Sequence, residues 1–374
     1  MTAETIRAWA EIDLKALVHN LNLAKKLSGK KVMCVIKGDA HGHGAVPCGK
    51  ALEEKGADAF AVACLEEGIA LRKGGITLPI LVLGWTPGEF AAQLVQYDLI
   101  QSVIEEDYAR ELSQAVDAPV QVHVKLDTGM SRTGILAQEA PLTAAQTILR
   151  IAQLPNISVT GIFTHFAAAD MPEKDDFTRW QAANYQAVLD ELKGLGFAQR
   201  ITCHAGNSAT IMYHPDKHFD MVRMGVMMYG LYPDGVWQPD GPLEPILTLK
   251  ARVAQVKDLP AGACISYGCT ATTTRDTKIA VVSAGYADAY PRSLSNTGAY
   301  AVINGAKCPQ IGRVCMDLCM FDITDAKVPI HRGDEVILYG KGGMPMEEVA
   351  RLGNTINCQP LSVLTNRVKK VYVK

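Results

Sequence analysis

VIKGDAHGHG, residues 35–44, is the stretch on which the assignment of the fold depends. The apolar run of residues 32–36 that leads into it is too short for a helix and contains branched side chains, so it predicts a buried strand that ends on Lys37. A lysine at the end of a buried strand either extends to solvent or is held for chemistry. Glycines follow at positions 38, 42 and 44, and glycine lets a backbone approach a ligand closely. On these residues alone, a strand-end lysine beside an ordinary glycine-rich turn remains the simpler interpretation.

Strand-like apolar runs alternate with helical patterns from this lysine strand to about residue 230. Besides the lysine strand, these runs are AFAVA (59–63), PILVLG (79–84), DLIQSV (98–103), PVQVHVKLD (119–127), VTGIFTHF (159–166), RITCHAG (200–206) and DMVRMGV (220–226). Eight strands spaced mostly by helices predict an α/β fold, a (β/α)8 barrel of the TIM type. An open sheet with fewer strands is the alternative.

The run PVQVHVKLD supports the barrel directly. Its apolar residues alternate with Gln121, His123, Lys125 and Asp127, so one face of the strand is apolar and the other is polar. If the apolar face meets the helices, the polar face points into the barrel and brings Lys125 and Asp127 to its upper rim beside Arg132. The alternative is an edge strand with its polar face in solvent.

The character of the chain changes after a segment rich in Pro, Gly and Asp at residues 232–245. The β-type runs beyond it are residues 246–256, 279–285, 299–305, 319–323 and 335–340, with Asn304-Gly305 suited to a two-residue hairpin turn. We therefore predict three parts: an N-terminal strand (residues 1–12), the barrel (13–240) and a mostly antiparallel β domain (241–374). Asp13 is predicted to cap the first helix.

Composition excludes several classes of function. Lys and Arg total 37 against 39 Asp and Glu, and a net charge of −2 gives no electrostatic footprint for nucleic acid or acidic lipid. No apolar segment is long enough to span a membrane, and the N-terminus has no targeting pattern, so a cytoplasmic enzyme acting on a small molecule is expected. The ten cysteines contain no C-x-x-C pair, which predicts mostly reduced, buried cysteines and no metal site.

VIKGDAHGHG resembles the cofactor-lysine motif of the alanine racemases, a family that uses pyridoxal 5′-phosphate (PLP), and further family motifs follow in order from Trp9 to the C-terminus. Two motif positions depart, because Gly38 stands for alanine and His41 for tyrosine. The resemblance implies that Lys37 binds PLP covalently. It also implies an N-terminal strand that packs on the β domain, and a head-to-tail homodimer with shared active sites that supplies D-alanine for peptidoglycan.

The resemblance also assigns cofactor contacts. In HAGNSAT, which alone is typical of an ordinary helix cap, Ser208 matches a phosphate contact, as do the backbone amides of Gly225 and Val226. Arg223 matches the arginine that faces the pyridine nitrogen, and since arginine only donates, it weakens the ring as an electron sink and suppresses transamination. The alternative is an Arg223 paired with a carboxylate, such as Glu66 or Glu67.

Inversion of a stereocentre needs one acid/base group on each face of the substrate carbon. By resemblance these groups are Lys37 and Tyr267, in ISYGCT, with His165 in contact with the tyrosine. A phenol has an ordinary pKa of about 10, so it needs neighbours that stabilise its phenolate. Without the resemblance, Tyr267 is a turn tyrosine and His165 a core histidine.

Substrate contacts are assigned in the same way. Arg132 matches the arginine near the substrate carboxylate, and Lys125 matches a lysine that is carbamylated in many members. An unmodified Lys125 paired with Asp127 is the alternative. The residues that match those lining the substrate entrance from the partner subunit are Met316, Asp317 and Tyr286.

The predicted function is PLP-dependent racemisation of alanine. His41 and Cys358 stand where the family has tyrosines beside the cofactor and the substrate side chain, so serine is a second substrate to consider, and serine or broad specificity is the alternative. Basic amino-acid decarboxylases share the barrel, cofactor and β domain, but their C-terminal cysteine motif and glycine-rich phosphate loop are absent. A PLP-binding barrel protein without racemase activity would lack residues 245–374 and Tyr267.

Overall fold

The computed structural model describes residues 6–236, 238 and 240–373. Residues 1–5 of the predicted N-terminal segment therefore lie outside the described residues. The chain forms two compact units: the barrel unit (residues 21–40 and 45–228) and the β unit (residues up to 20, 41–44 and 229 onwards). This division comes slightly earlier than the predicted boundary at residue 240, and it places residues 41–44 of the lysine motif in the β unit.

The barrel unit contains the eight predicted parallel strands. The chain first forms β1 (Ala8–Asp13), which belongs to the β unit. The barrel strands are β2 (Lys31–Val35), β3 (Ala59–Val62), β4 (Ile80–Val82), β5 (Ile100–Val103), β6 (Val120–Asp127), β8 (Ile157–Phe163), β9 (Thr202–His204) and β10 (Met221–Met224), with the short β7 (Ile135–Leu136) beside β6.

The barrel sheet is closed. Its strand order is β5-β4-β3-β2-β10-β9-β8-β6, and β5 also pairs with β6, so every barrel strand has two neighbours. All these pairings are parallel. The predicted (β/α)8 barrel is therefore confirmed, and the open sheet considered as its alternative is wrong.

Helices separate most of the barrel strands, as parallel connections require. They are α1 (Leu14–Ser28), α2 (Ala45–Glu54), α3 (Leu65–Lys73), α4 (Ala91–Gln96), α5 (Glu106–Gln114), α6 (Pro141–Ala152), α7 (Asp175–Gly194) and α8 (Ser208–Tyr213). Asp13 caps α1 as predicted, because its Oδ1 accepts the N–H groups of Lys15 and Ala16 at 2.9 and 3.0 Å.

The inside of the barrel has an apolar half and a polar half. Buried apolar side chains from β2, β3, β4, β5 and the start of β10 pack together; they are Met33, Val35, Ala59, Ala61, Leu81, Ile100 and Met221. On the other side, His123 of β6 reaches His204 of β9, although β8 lies between these strands. The polar face of β6 thus points into the barrel, as predicted, and β6 is not a solvent-facing edge strand.

The β unit is mostly antiparallel, which confirms the predicted fold class. Its main sheet has the order β16-β15-β18-β11-β1-β19, with β14 on β11 and β17 on β14. The strands are β11 (Leu247–Leu259), β12 (Cys264–Ile265), β13 (Ala271–Thr272), β14 (Thr277–Val282), β15 (Tyr300–Ile303), β16 (Ala306–Pro309), β17 (Cys319–Asp322), β18 (Glu335–Gly340) and β19 (Lys369–Val373), with helices α9 (Met346–Gly353) and α10 (Gln359–Ser362).

Two local predictions in the β unit are confirmed. The N-terminal strand β1 joins this sheet, antiparallel to β11 and parallel to β19. Asn304 and Gly305 connect β15 to β16 with φ values of 48° and 81°, the positive values that a tight type I′ hairpin turn requires.

The cysteines are mostly reduced, as predicted, because eight of the ten are free. Only four of them are buried, fewer than expected: Cys34, Cys48, Cys308 and Cys319. Cys264 and Cys269 form a disulfide that the sequence did not predict. Among the described residues, no helix combines the length and the apolar character needed to cross a membrane.

Candidate active site

Lys37 lies directly after β2, at the end of the barrel where the strands finish. The residues that follow form a left-handed turn, with φ values of 63°, 52°, 54° and 50° at Gly38, Asp39, Ala40 and His41. Left-handed backbone costs roughly 1–2 kcal/mol at each non-glycine residue, so neighbouring groups must hold this turn. Sequence patterns gave no sign of it, since three of the four residues are not glycine.

Glu67 of α3 holds the beginning of this turn. Its Oε1 accepts the Gly38 N–H at 2.6 Å, and its Oε2 accepts the Ala63 N–H at 2.7 Å. The Asp39 carboxylate accepts the N–H of Ala45 at 2.8 Å, where α2 begins. Glu67 thus positions the backbone next to Lys37. The sequence had suggested Glu67 only as a possible ion-pair partner of Arg223.

Gly42 and Gly44 are required for packing within the β unit. Both have positive φ values, 87° and 97°, and a Cβ atom would collide with the carbonyl of Leu361 at the first and with the Tyr372 hydroxyl at the second. The sequence suggested that these glycines let the backbone approach a ligand. In the structure, both also allow close packing against the C-terminal segment of the chain. His41, the last residue of the left-handed turn, has its ring 4.7 Å from that of Tyr229.

Arg223 on β10 is a buried cation, only 4% exposed. One of its terminal nitrogens donates to His204 Nδ1 at 2.8 Å and the other to His165 Nδ1 at 3.0 Å. Its remaining hydrogen bonds go to the backbone carbonyls of Thr164, His204 and Ala205. In the described part of the chain it forms no ion pair, so its predicted alternative pairing with Glu66 or Glu67 is wrong.

The charge of Arg223 fixes the protons of three histidines. Burial lowers the pKa of Arg223 to about 10, so it stays protonated at neutral pH and only donates. Nδ1 of His165 and Nδ1 of His204 must then accept, which leaves the proton of each neutral ring on Nε2. His204 Nε2–H in turn donates to His123 Nδ1 at 2.9 Å.

All three histidines are held neutral. Burial, followed by the charge of Arg223, lowers the pKa of His123 to about 3 and those of His165 and His204 well below the ordinary value. His165 Nε2–H is therefore available as a donor toward a further group. The sequence did not identify His204 and His123 as parts of the site. The predicted inward position of His123 on β6 could have indicated that it lies inside the barrel with the other site residues.

Ser208 and Asn207 lie at the start of α8, after β9. Asn207 Oδ1 accepts the N–H of Thr210 at 3.0 Å, so it caps the helix as predicted. Ser208 Oγ accepts the N–H groups of Gly225 at 2.9 Å and Met227 at 3.3 Å, which leaves its hydroxyl proton to donate. Ser208 thus links the segments that follow β9 and β10, the two strand ends where the sequence predicted phosphate contacts. The Gly225 N–H, which was assigned to the phosphate, instead donates to Ser208.

Lys125 lies inside the barrel near several other cations. Its Nζ donates to Thr133 Oγ1 at 2.5 Å, and it forms no ion pair with Asp127 among the described residues. Asp127 instead accepts the N–H groups of Gly129 and Ser131, both at 3.0 Å. Burial, and after it the charge of Arg132, lowers the pKa of Lys125 to about 8.

The barrel unit thus brings most of its predicted site residues together. The charges of Arg223, Arg132, Lys125 and Lys37 all act on His165 and disfavour its protonation. Cationic groups therefore converge at the end of the barrel where the strands finish. Such a site suits a ligand with several anionic groups.

The predicted site residues of the β unit lie on adjoining segments. Tyr267, Tyr286 and Met316 are 69%, 46% and 52% exposed. The Tyr286 N–H donates to the Cys315 carbonyl at 3.0 Å, and the Ala287 N–H donates to that of Met316 at 3.1 Å. Ser266, next to Tyr267, contacts Cys315 Sγ through its Oγ at 3.3 Å, so these exposed side chains share one region of the β unit.

Other predicted residues of this unit have local partners. Asp317 forms an ion pair with Arg367, which also contacts the fully buried Asp288 at 3.0 Å. Arg7 binds the same Asp288 carboxylate at 2.5 Å. Cys358 is partly buried and directly precedes α10.

Two family models match the chain. One, described as the alanine racemase N-terminal domain, matches residues 12–233, and the alanine racemase C-terminal domain matches residues 246–372. The chain belongs to the alanine racemase family. It is therefore an enzyme of the isomerase class, and the predicted boundary at residue 240 lies between the two matched domains.

Curated members of the alanine racemase family resemble the chain over nearly its full length. The alanine racemase of Clostridium novyi is 40% identical over 98% of this chain and 95% of its own, and that of Carboxydothermus hydrogenoformans is 41% identical over 98% and 99%. Because both domains are matched, a barrel protein without the β domain and a basic amino-acid decarboxylase are excluded. The serine racemase alternative is not favoured.

Solved alanine racemase structures share the fold. The Clostridium difficile 630 alanine racemase is 40% identical, with a TM-score of 0.90 over 99% of this chain and 96% of that one. The same protein in complex with cycloserine gives a TM-score of 0.89 at 38% identity over the same shares. The alanine racemase of Streptomyces coelicolor A3(2) gives 0.91 at 32% identity over 100% of both chains.

Proposed function

We propose that this chain interconverts L- and D-alanine with PLP bound to Lys37, and that Lys37 and Tyr267 are its two acid/base groups. The environment of Arg223 is the observation that supports the proposal most. This buried cation donates to carbonyl oxygens and imidazole nitrogens among the described residues. One of these imidazoles, that of His165, is also affected by the charge of Lys37. Such a group suits a pyridine nitrogen, because it donates without giving up its proton.

The residues of the barrel unit fit each end of this cofactor. The Ser208 hydroxyl accepts two backbone N–H groups and keeps its own proton for a phosphate oxygen, next to Gly225 and Val226. Arg223 suits the ring nitrogen, and the Lys37 amine suits the aldehyde. When bound, the cofactor withdraws electrons from the Cα of an attached amino acid, which makes the Cα proton removable.

Lys37 and Tyr267 divide the proton transfers between the two faces of the substrate. One group takes the Cα proton, and the other returns a proton from the opposite side. A phenolate needs a donor to stabilise it at neutral pH, and the Nε2–H of His165, fixed by Arg223, supplies one. Arg132 suits the substrate carboxylate, since its guanidinium can bind both oxygens.

The two acid/base groups belong to different units, because Lys37 is in the barrel unit and Tyr267 in the β unit. We place them in one site by pairing two chains head to tail, so that the partner subunit supplies the tyrosine. The exposed Tyr267, Tyr286 and Met316 support this pairing, since grouped exposed apolar side chains are typical of an interaction surface. Asp317 lies beside them at the proposed substrate entrance.

Mixing two inactive variants tests the shared site. Lys37→Ala and Tyr267→Phe chains, mixed under conditions that allow subunit exchange, are expected to regain activity, because each heterodimer contains one site with both groups intact. Racemisation is measured before and after exchange, and native mass spectrometry counts the heterodimers. Demonstrated heterodimers without any activity above that of the separate variants would argue for sites built within one chain.

Lys125 is expected to carry a carbamate. Its lowered pKa of about 8 leaves more uncharged amine at neutral pH than an ordinary lysine has, and the amine attacks carbon dioxide to give a carbamate and a proton. The carbamate would give Arg132 an anionic partner. A carbamate carbon signal is expected in the NMR spectrum of protein equilibrated with ¹³C-bicarbonate, and it should weaken as the pH falls below the pKa.

Lys125→Arg should remove this signal, because arginine cannot be carbamylated under these conditions, whereas the exposed Lys50→Arg should keep it. A spectrum identical for wild type and Lys125→Arg would show that Lys125 is unmodified.

Position 358 is expected to influence the choice between alanine and serine. A cysteine leaves more room than the tyrosine of the family motif, and one added group in a pocket is worth only about 1–3 kcal/mol of discrimination. Serine is therefore expected as a slower, secondary substrate. Cys358→Tyr should shift the ratio of kcat/KM values further toward alanine. An unchanged ratio would show that position 358 does not set specificity.

Incubation of the purified, PLP-loaded protein with L-alanine tests the proposed function. Optical rotation should fall to zero as D-alanine forms, without release of carbon dioxide. Carbon dioxide release would indicate decarboxylation, and unchanged L-alanine would contradict the proposal. In the cell, the activity is proposed to act in the cytoplasm and to supply D-alanine for peptidoglycan.

A further inference from the structure

Tyr267 lies inside a short loop closed by a disulfide. Cys264 forms a disulfide bond with Cys269, five residues later, and their Cα atoms are 5.1 Å apart. Cys264 belongs to β12, which pairs with β13 after the loop, and both cysteines are exposed. The loop therefore carries, within six residues, the proposed acid/base tyrosine and a disulfide that is exposed in the single chain.

The backbone of this loop is unusual. Ser266, Gly268 and Cys269 have positive φ values of 67°, 71° and 45°, and two of these residues are not glycine. Within the loop, the Cys269 N–H reaches the Ser266 carbonyl only at 3.4 Å. A stronger contact lies at the start of the loop, where Ser266 Oγ donates to the Arg313 carbonyl at 2.7 Å.

The disulfide is consequently the main constraint on the second half of the loop. Residues held in sparsely populated backbone regions persist only where the surroundings enforce them. Breaking the bond between the two sulfur atoms would let Cys269 leave its left-handed conformation. A crosslink also removes alternative loop conformations, because its ends can no longer separate.

We propose that Cys264 and Cys269 form a redox-sensitive pair that sets how Tyr267 is presented for catalysis. The proposal rests on the proposed function, in which Tyr267 moves a proton. In the disulfide form the tyrosine is held in one arrangement. In the dithiol form the loop samples others, so the chemical step slows while substrate binding changes less.

The chemistry is thiol–disulfide exchange with a small-molecule disulfide. One cysteine thiolate attacks the small disulfide and releases one thiol, and the other cysteine then displaces the second thiol from the mixed disulfide. The protein loses two electrons and two protons, and the small disulfide gains them as two thiols. A small dithiol reverses the reaction.

The test compares the two forms of the PLP-loaded wild-type enzyme. Hydroxyethyl disulfide oxidises the pair and dithiothreitol reduces it, and each reagent is removed before assay. Trypsin should release residues 258–275, which contain both cysteines and, as their one tyrosine, Tyr267. After alkylation, the mass of this fragment reports the fraction linked.

Reduction is expected to lower kcat by about threefold or more, since small misplacements of a catalytic group cost much rate, with little change in KM. Reoxidation should restore the rate. The double variant Cys264→Ser with Cys269→Ser should keep the low kcat in both conditions, whereas Cys64→Ser, which removes a partly exposed free cysteine, should respond like wild type.

Several results would overturn the proposal. These are full alkylation of both cysteines after oxidation, a link from either of them to the fragment of residues 314–327 that contains Cys315, or equal kcat values for the linked and unlinked forms. If neither form racemises alanine, the proposed function fails instead. Amide hydrogen exchange across residues 258–275 then decides the loop constraint: slower exchange in the linked form supports it, and equal exchange contradicts it.

Discussion

Replacement of Lys37 by alanine is expected to abolish alanine racemisation, with a loss of about a thousandfold or more. The variant removes two functions at once, the amine that binds PLP and one of the two acid/base groups. PLP should still associate through Ser208 and Arg223, but without a covalent bond. After borohydride reduction and trypsin digestion, wild-type protein should carry the cofactor on the fragment of residues 32–50, where the modified lysine blocks cleavage at 37.

Lys50→Ala is the matched control for this experiment. Lys50 lies in the same fragment, is exposed on α2 and has no proposed part in the site. It should retain activity and carry the cofactor on Lys37, within a longer fragment of residues 32–55, because the substitution removes the cleavage site at 50. Reductive fixation of PLP to another lysine in both wild type and Lys37→Ala would refute the assignment.

Replacement of Tyr267 by phenylalanine should lower kcat by about 10²–10⁴-fold and change KM much less, because the phenolic proton is used only in the chemical step. The defect should differ between the two directions of the reaction. Proton exchange on the face served by Lys37 should persist, so the variant should still exchange the Cα hydrogen of one enantiomer with solvent.

Tyr300→Phe is the control. Tyr300 lies on β15 of the same unit, with Lys307 Nζ 3.7 Å from the centre of its ring, and it takes no part in the proposed chemistry. It should behave like wild type. Equal rates for wild type and Tyr267→Phe in both directions would remove Tyr267 from the mechanism and leave the redox proposal without its basis.

The barrel could be predicted from sequence because its evidence is local. Each strand is a short apolar run and each connection a helical pattern, so counting them to residue 230 was sufficient. The same applies to the Asp13 cap and the Asn304-Gly305 turn, whose preferences depend on neighbouring residues only. Closure through β5 and β6 is a tertiary pairing, which the count of eight favours and the structure shows.

The network around Arg223 could not be predicted in this way. His123 and His204 meet across the barrel interior, from strands that are not neighbours, so their contact depends on the closed tertiary structure. Glu67 reaches the Gly38 amide from another connection of the barrel. In addition, the left-handed turn at residues 38–41 contradicts local preference, because tertiary contacts override the cost of its backbone.

The disulfide was not predicted because the sequence contains no C-x-x-C pair, the spacing that indicates paired cysteines most directly. Cys264 and Cys269 are separated by four residues, and only the turn at Tyr267–Cys269 brings them within bonding range. The resemblance to alanine racemases identified Tyr267, but it said nothing about the cysteines on either side.

Racemisation of protiated L-alanine in D₂O tests the central claim, that two separate groups act on opposite faces of the substrate. If Lys37 takes the proton and Tyr267 returns another, D-alanine formed in the first turnovers should carry deuterium at Cα, because the returned proton comes from a group equilibrated with solvent. The remaining L-alanine should stay largely protiated at that stage. Early D-alanine that retains protium would show a single base carrying the same proton across, and would contradict the account.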